Sequence, residues 1–177
     1  GRRAVLEVDP FRLDLLREMH QAALLAKGRT IAVLGGAMDC MYPKSNANLA
    51  DRIAAQGAVI SEFPMGREPD KTTFPMRNRI ISGLSVGVLV VEAGEASGSL
   101  ITAHQAMEQG RTVFAVPGRI DSSLSRGTNA LIKDGAKLVT DVDDILSEFE
   151  FLFPRRSVGT ASAVGTRGGV LSGDEKA

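Results

Sequence analysis

Tryptophan is absent, tyrosine occurs once, and aromatic residues make up 5% of the 177-residue chain. A surface that holds nucleic acid mainly by stacking bases on rings is therefore not expected, and phosphate contacts would have to dominate any such binding. Cysteine occurs once, at Cys40, so no disulfide forms within the chain, which fits a reducing compartment. Charge of one sign is not in excess: 21 Lys and Arg balance 21 Asp and Glu, so anion binding has to come from a local patch rather than a global field. No apolar run approaches the roughly 20 residues of a membrane helix. The opening GRRAVLEVDPFRLD lacks a long apolar stretch followed by small residues, so it is not read as a secretory leader, and the expected location is the cytoplasm.

Motifs of enzyme chemistry are equally scarce. The two histidines, His20 and His104, fall on helical stretches without a Cys or carboxylate at metal-ligand spacing. There is no G-x-S-x-G elbow, no Walker A loop and no G-x-G-x-x-G fingerprint. Glu92 and Glu95 are acid–base candidates by residue type, but their spacing alone does not select them. The expectation is a protein with no catalytic residue, no metal and no cofactor.

What the chain does have is alternation. TIAVLG (30–35), AVISEF (58–63), VGVLVVEA (86–93), TVFAVPG (112–118) and the weaker AKLVT (136–140) are short apolar runs; the first ends in Gly, the second follows a Gly and the fourth ends in Pro-Gly. Continuous apolar strands suit a sheet covered on both faces. Between them, 46–56, 74–84, 100–109, 128–134 and 142–149 carry helical spacing, as does 11–27, where Leu13, Leu16, His20 and Leu24 recur along one face. The pattern predicts an α/β fold, a Rossmann-like doubly wound and mostly parallel sheet with helices on both faces. Ligands of such sheets sit at the carboxyl ends of the strands, which gathers Gly35–Gly36, Glu62–Phe63, 93–99 and Pro117–Gly118 on one rim. The expected division is a divergent helical segment over 1–28, the α/β domain over 29–150, and a flexible, Gly-rich tail over 151–177.

Three loops on that rim are candidates for anion binding. In EAGEASGSLITAHQAMEQG (92–110) a strand ends and a helix begins at Ser97, Gly98 and Ser99. The free amides and positive dipole end there favour an anion, or else a serine simply caps the helix. In the second, Arg67, Lys71, Arg77 and Arg79 outnumber Glu68 and Asp70, a local excess of +2 in a neutral chain. The planar guanidinium suits phosphate, with Asn78 and Phe74 alongside. The same arginines also read as surface groups paired with Glu62 or Glu92. In LGGAMDCMYPKSN (34–46) Gly35 and Gly36 end a strand and Lys44 precedes a helix, which reads either as part of a phosphate site or as a plain glycine turn.

FPMRNRIISGLS, VLVVEAGEASGSLITAHQAMEQGRTVFAVPG and SRGTNALIKDGAKLV, with LGGAMDCMYPKSN and ISEFPMG in the same order, resemble the DNA-processing protein A family, also called DprA or Smf. The resemblance covers roughly residues 28–146. It implies a cytosolic bacterial homodimer with an extended Rossmann-like sheet that binds single-stranded DNA and loads the RecA recombinase onto it during natural transformation, with no established catalytic activity. It implies that Arg77, Asn78 and Arg79 face a positive pocket for the DNA backbone. By the same resemblance, Phe74 and the amides of Ser97, Gly98 and Ser99 lie nearby, while Gly35, Gly36 and Lys44 extend the patch. A dimer contact near 142–149 follows by analogy. The chain departs from the family upstream: His20 and its sequel fit, but residues 1–15 do not resemble the strands ending in Gly-Ser-Arg and Gly-Ile-Asp, and Ala37 replaces a usual Gly. A winged-helix domain found at the C-terminus of many members has no counterpart in the tail. The competing reading is a nucleotide-binding enzyme like the cytokinin-activating phosphoribohydrolases, but EASGSLITAHQ lacks their Pro-Gly-Gly-x-Gly-Thr-x-x-Glu motif.

Overall fold

The structure, a computed structural model, describes residues 6–7 and 13–152. Among these residues six strands and six α-helices follow one another: β1 (Leu6–Glu7), α1 (Leu13–Leu25), β2 (Ile31–Val33), α2 (Ala47–Gln56), β3 (Ala58–Ile60), α3 (Thr73–Leu84), β4 (Gly87–Val90), α4 (Gly98–Glu108), β5 (Thr112–Ala115), α5 (Arg126–Lys133), β6 (Lys137–Leu138) and α6 (Val142–Glu148). All strand pairs are parallel, as the continuous apolar runs require, and the fold is Rossmann-like. The strands do not form one continuous ladder: β1-β4-β5-β6 make a four-stranded sheet and β2-β3 a separate pair. Strand β1 was not anticipated from the sequence. It pairs Leu6 with Leu89 and Glu7 with Val90, satisfying backbone groups on the edge of β4.

The four-stranded sheet holds the dry core. Val88, Val90, Val113 and Ala115 pack with Ala103 and Ala106 of α4 and Leu131 of α5, each 4% exposed or less. Small residues at the α4 contact let helix and sheet approach closely. Gly87 begins β4 because a Cβ there would stand 2.9 Å from the Phe149 ring and 3.0 Å from Phe114. Those two rings meet edge to face at 5.8 Å and dock the end of α6 on the sheet. The helix itself is started by a capping box, Asp141 accepting from the amides of Asp143 and Asp144 while Asp144 reaches back to Asp141 N.

Helix α3 inverts a sequence expectation. FPMRNRIISGLS looks like an entry to an apolar buried segment, yet Leu84 is exposed while Thr73, Asn78 and Ser82 are the buried residues. The polar face is turned to α4, where Ser82 Oγ lies 3.1 Å from Gln109 Oε1 and Gln105 Nε2 donates to Pro75 O at 3.2 Å. The buried polar groups on this face are hydrogen-bonded, as burial of polar groups requires. The expected tail is described only as far as Leu152; from 153 onward it lies outside the described residues.

Candidate nucleic-acid interface

Where β2 separates from the four-stranded sheet, the structure opens a cleft of about 520 Å³. Its walls come from α1 (Leu16, Arg17, His20), from β2 and the turn after it (Ala32 to Gly35), from the loop and first turns leading into α2, from α3, and from the start of α4. Leu16, Ala32, Val33, Leu49, Ile53 and Ile101 make the surface mainly apolar, and Arg17, Lys71 and Arg77 supply charge. Among the described residues no Asp or Glu lines it. In a chain whose formal charges sum to zero, three cations with no carboxylate among the described lining residues form a local positive patch.

The position of Arg77 follows from backbone accounting. Leu34 N donates to Ile60 O at 2.9 Å, and Thr30 O accepts from Ala58 N at 3.3 Å, so the even-numbered residues of β2 face β3. In a parallel strand the intervening residues turn their polar groups the other way. Val33 O, on that outward edge, accepts from Arg77 Nη1 at 2.5 Å. Arg77 Nε donates to Asn78 Oδ1 at 3.0 Å, and its guanidinium carbon lies 5.8 Å from the Phe74 ring centre. Asn78 is 1% exposed. Arg77 therefore completes an unpaired strand edge with its fork while standing in the cleft wall. Gly35 fits beneath it because the Phe74 ring lies so close that a Cβ would come within 2.5 Å of Cδ1.

Arg79, two residues on, points elsewhere. It pairs with Glu62 at the end of β3 and takes no part in the cleft lining. A helix turns by about 100° per residue, so neighbours two apart face nearly opposite ways. Ser97 is the N-cap of α4: its hydroxyl accepts from Ser99 N at 3.3 Å and lies 2.6 Å from Ser99 Oγ, and both residues are buried. What that helix end shows to the cleft is Ala96, Gly98 and Ile101. Gly36 is clasped under the loop before α3, with Pro69 Cδ 2.7 Å from where its Cβ would be, and Ser61 Oγ donates to its carbonyl at 2.7 Å. Lys44 is exposed on a short 3-10 turn whose neighbours Tyr42, Pro43 and Asn46 line the cleft. Of the candidates from the sequence, Gly35, Phe74, Arg77, Asn78 and Gly98 are brought together. Gly36, Lys44, Arg79, Ser97 and Ser99 lie outside the lining.

The candidate list missed Arg17 and His20. Their signal was present in the helical spacing of Leu16, His20 and Leu24, but nothing in sequence said that this face of α1 would border a cavity. The His20 ring is held by Thr30, Nδ1 lying 2.7 Å from Oγ1, and burial lowers its pKa below the ordinary histidine value. Lys71 comes from the loop before α3, where Asp70 organises the backbone. Its carboxylate accepts from the Thr72 hydroxyl and from the Thr72 and Thr73 amides, and Arg67 stands beside it, so its pKa falls to about 2. Among the described residues no three His, Cys, Asp or Glu side chains gather as a metal site, and no helix is long and apolar enough to cross a membrane.

Comparison with known proteins gives a consistent set of relatives. The profile of the DNA recombination-mediator protein A family matches residues 17–150. DNA processing protein DprA of Streptococcus pneumoniae is 54% identical over 132 residues, 75% of this chain and 47% of that protein. Protein Smf of Escherichia coli is 53% identical over 133 residues, 75% of this chain and 36% of that protein. The X-ray structure of the pneumococcal protein superimposes with a TM-score of 0.68 at 52% identity, over 75% of this chain and 47% of that one. A Helicobacter pylori DNA processing protein A structure, described for its single-stranded DNA binding mode, gives 0.65 at 20% identity over 81% and 79% of the chains, a likeness of fold. The chain spans about half the length of the first of these relatives.

Proposed function

The chain belongs to the DNA recombination-mediator protein A family, and from that premise we propose that it binds single-stranded DNA in the cleft through backbone phosphates. In this reading it performs no catalysis and passes the strand to the RecA recombinase during DNA processing, uptake or natural transformation in the cytoplasm. The observation that carries the proposal is the cleft's lining: Arg17, Lys71 and Arg77 on apolar walls, with no carboxylate among the described lining residues. Such a surface favours a polyanion whose other parts are apolar, and phosphate contacts bind without reading sequence. Arg79, Lys44 and the capped start of α4 lie around this centre and would touch the strand beyond the cleft. A homodimer is supported by exposed Leu138 on edge strand β6, Val142 on α6, and Phe151 and Leu152 beyond it, apolar groups that a second copy would cover.

Fluorescence anisotropy of a labelled dT oligomer, titrated at several salt concentrations, tests the proposal. The expected result is binding that weakens as salt rises, with a log–log slope of about −0.7 for each phosphate neutralised. Well-folded protein whose binding is absent or indifferent to salt would remove the reading. RecA delivery is checked separately, by whether the protein speeds RecA filament formation on strands already coated with a single-strand binding protein.

A further inference from the structure

Helix α1 brings Leu16, Arg17 and His20 to the cleft, positions three and four apart that share a helical face. His20 is anchored at one nitrogen only. Nδ1 is 2.7 Å from the hydroxyl of Thr30, itself 9% exposed, which fixes the ring from behind. Nε2 has no hydrogen-bond partner among the described residues, and it is not one of the side-chain atoms shut away from solvent without a partner. His20 itself is one of the residues that line the cleft. The Thr30 hydroxyl can donate or accept, so either neutral tautomer suits it; an imidazolium, protonated on both nitrogens, would keep Nδ1–H on the hydroxyl oxygen and present Nε2–H as a donor. The charged side chains that line the same cleft, among the described residues, are Arg17 on the same helix, Lys71 before α3 and Arg77 on α3. A donor set in this company suits an anionic oxygen.

We propose that His20 contacts a backbone phosphate of the bound strand through Nε2 and takes up a proton as the strand binds. This inference rests on the reading of the cleft as a strand-binding site and adds to it one residue and one proton. In the empty cleft, burial disfavours the imidazolium. A phosphate at Nε2 reverses the balance, because an opposite charge in contact favours the charged form. The bound state then holds more protons than the free state, so affinity rises as pH falls through the interval between the two imidazole pKa values.

The test uses the whole chain, a dT oligomer and an abasic deoxyribose-phosphate oligomer of equal length, neither of which titrates where imidazole does. Anisotropy is measured from about pH 8 to pH 5 for wild type, His20→Gln and, as control, His104→Gln, which is exposed on α4 and outside the cleft lining. Wild type and His104→Gln are expected to bind both oligomers more tightly at low pH, up to about tenfold per unit by which the phosphate raises the imidazole pKa. His20→Gln is expected to bind with a flat pH profile. Calorimetry of the wild type in buffers of different ionisation enthalpy gives the proton uptake without any substitution, so a poorly folding variant does not spoil the test. A wild type that binds dT without proton uptake overturns the inference alone. So does pH dependence that survives in His20→Gln, or a His20 effect confined to dT and missing with the abasic strand. A folded wild type that binds neither oligomer overturns the cleft reading and the inference with it.

Discussion

The strands of the four-stranded sheet and the β2-β3 pair are built from similar apolar residues, yet they end in opposite conditions. In β4 and β5 the buried positions reach 0% exposure, Val88, Val90 and Ala115 among them, with helices α4 and α5 closing over them. In β3 all three residues remain half-buried, and in β2 only Val33 is buried. The second core is three residues, Leu24, Leu49 and Ile53, with Ala32 and Val59 against them. Beside that small core lies the cleft. A carbonyl on the outward edge of β2 accepts from an arginine side chain, where no further strand pairs with β2 among the described residues. The contrast separates two jobs that apolar strands perform. One region removes surface from water and carries the stability. The other keeps an apolar face open and sets cations around it, which costs stability and makes room for a ligand.

The separation makes predictions of decreasing size. Phe114 is 1% exposed between β4, β6 and Phe149, so Phe114→Ala is expected to cost about 3–5 kcal/mol in urea denaturation. Strand affinity per folded molecule should stay the same; a loss well under that range would mean the dry core is not where the stability lies. Arg17→Ala with Lys71→Ala should do the reverse. The melting temperature is expected to hold while dT affinity drops tenfold or more and the salt slope shrinks by about 1.4, two phosphates' worth. A melting temperature that falls with the affinity would join the two regions again.

Gly35→Ala probes the border. The added methyl meets the Phe74 ring at 2.5 Å, and overpacking of this kind costs about 1–3 kcal/mol. Since Phe74 is also a cleft wall, a loss of affinity of several fold should accompany the loss of stability, and a change in only one of them would show that the ring moves without reshaping the cleft. The smallest effect belongs to Asp70. Its folded pKa, near 2, lies below the ordinary carboxylate value. Its stabilising contribution is therefore present above the ordinary value and is lost as pH falls toward about 2. Acid titration of wild type against Asp70→Asn, followed by amide exchange at Thr72 and Thr73, should show protection lost over that interval in wild type and already missing in the variant. Equal protection in both would mean that the carboxylate does not hold the start of α3.

Much of the fold was legible in the chain. The apolar runs at 30–35, 58–63, 86–93, 112–118 and 136–140 each contain a strand, and each helical stretch between them contains a helix whose ends agree within two residues. Period and punctuation are local properties, and they survive folding. The site was legible only in part. The sequence pointed to FPMRNRIISGLS, and Phe74, Arg77 and Asn78 do line the cleft. Arg79 was grouped with them because it is adjacent in sequence, but helical rotation sends it to Glu62. Ser97 and Ser99 were candidates by residue type, and their hydroxyls are engaged with each other and with the helix they start. Arg17 and His20 were invisible as site residues because their role depends on a cavity made by four other segments.

By itself the sequence determined the alternation of strands and helices, the parallel sense that continuous apolar strands demand, the family, and the need for a local patch in a neutral chain. Only tertiary structure decided that the sheet divides beside β2, that an arginine satisfies the edge left there, and which cations share the space. Strand and helix patterns are written in neighbours along the chain. A cleft is written in residues that meet across 50 or more positions, from Arg17 to Lys71 and Arg77, and no local pattern carries that meeting.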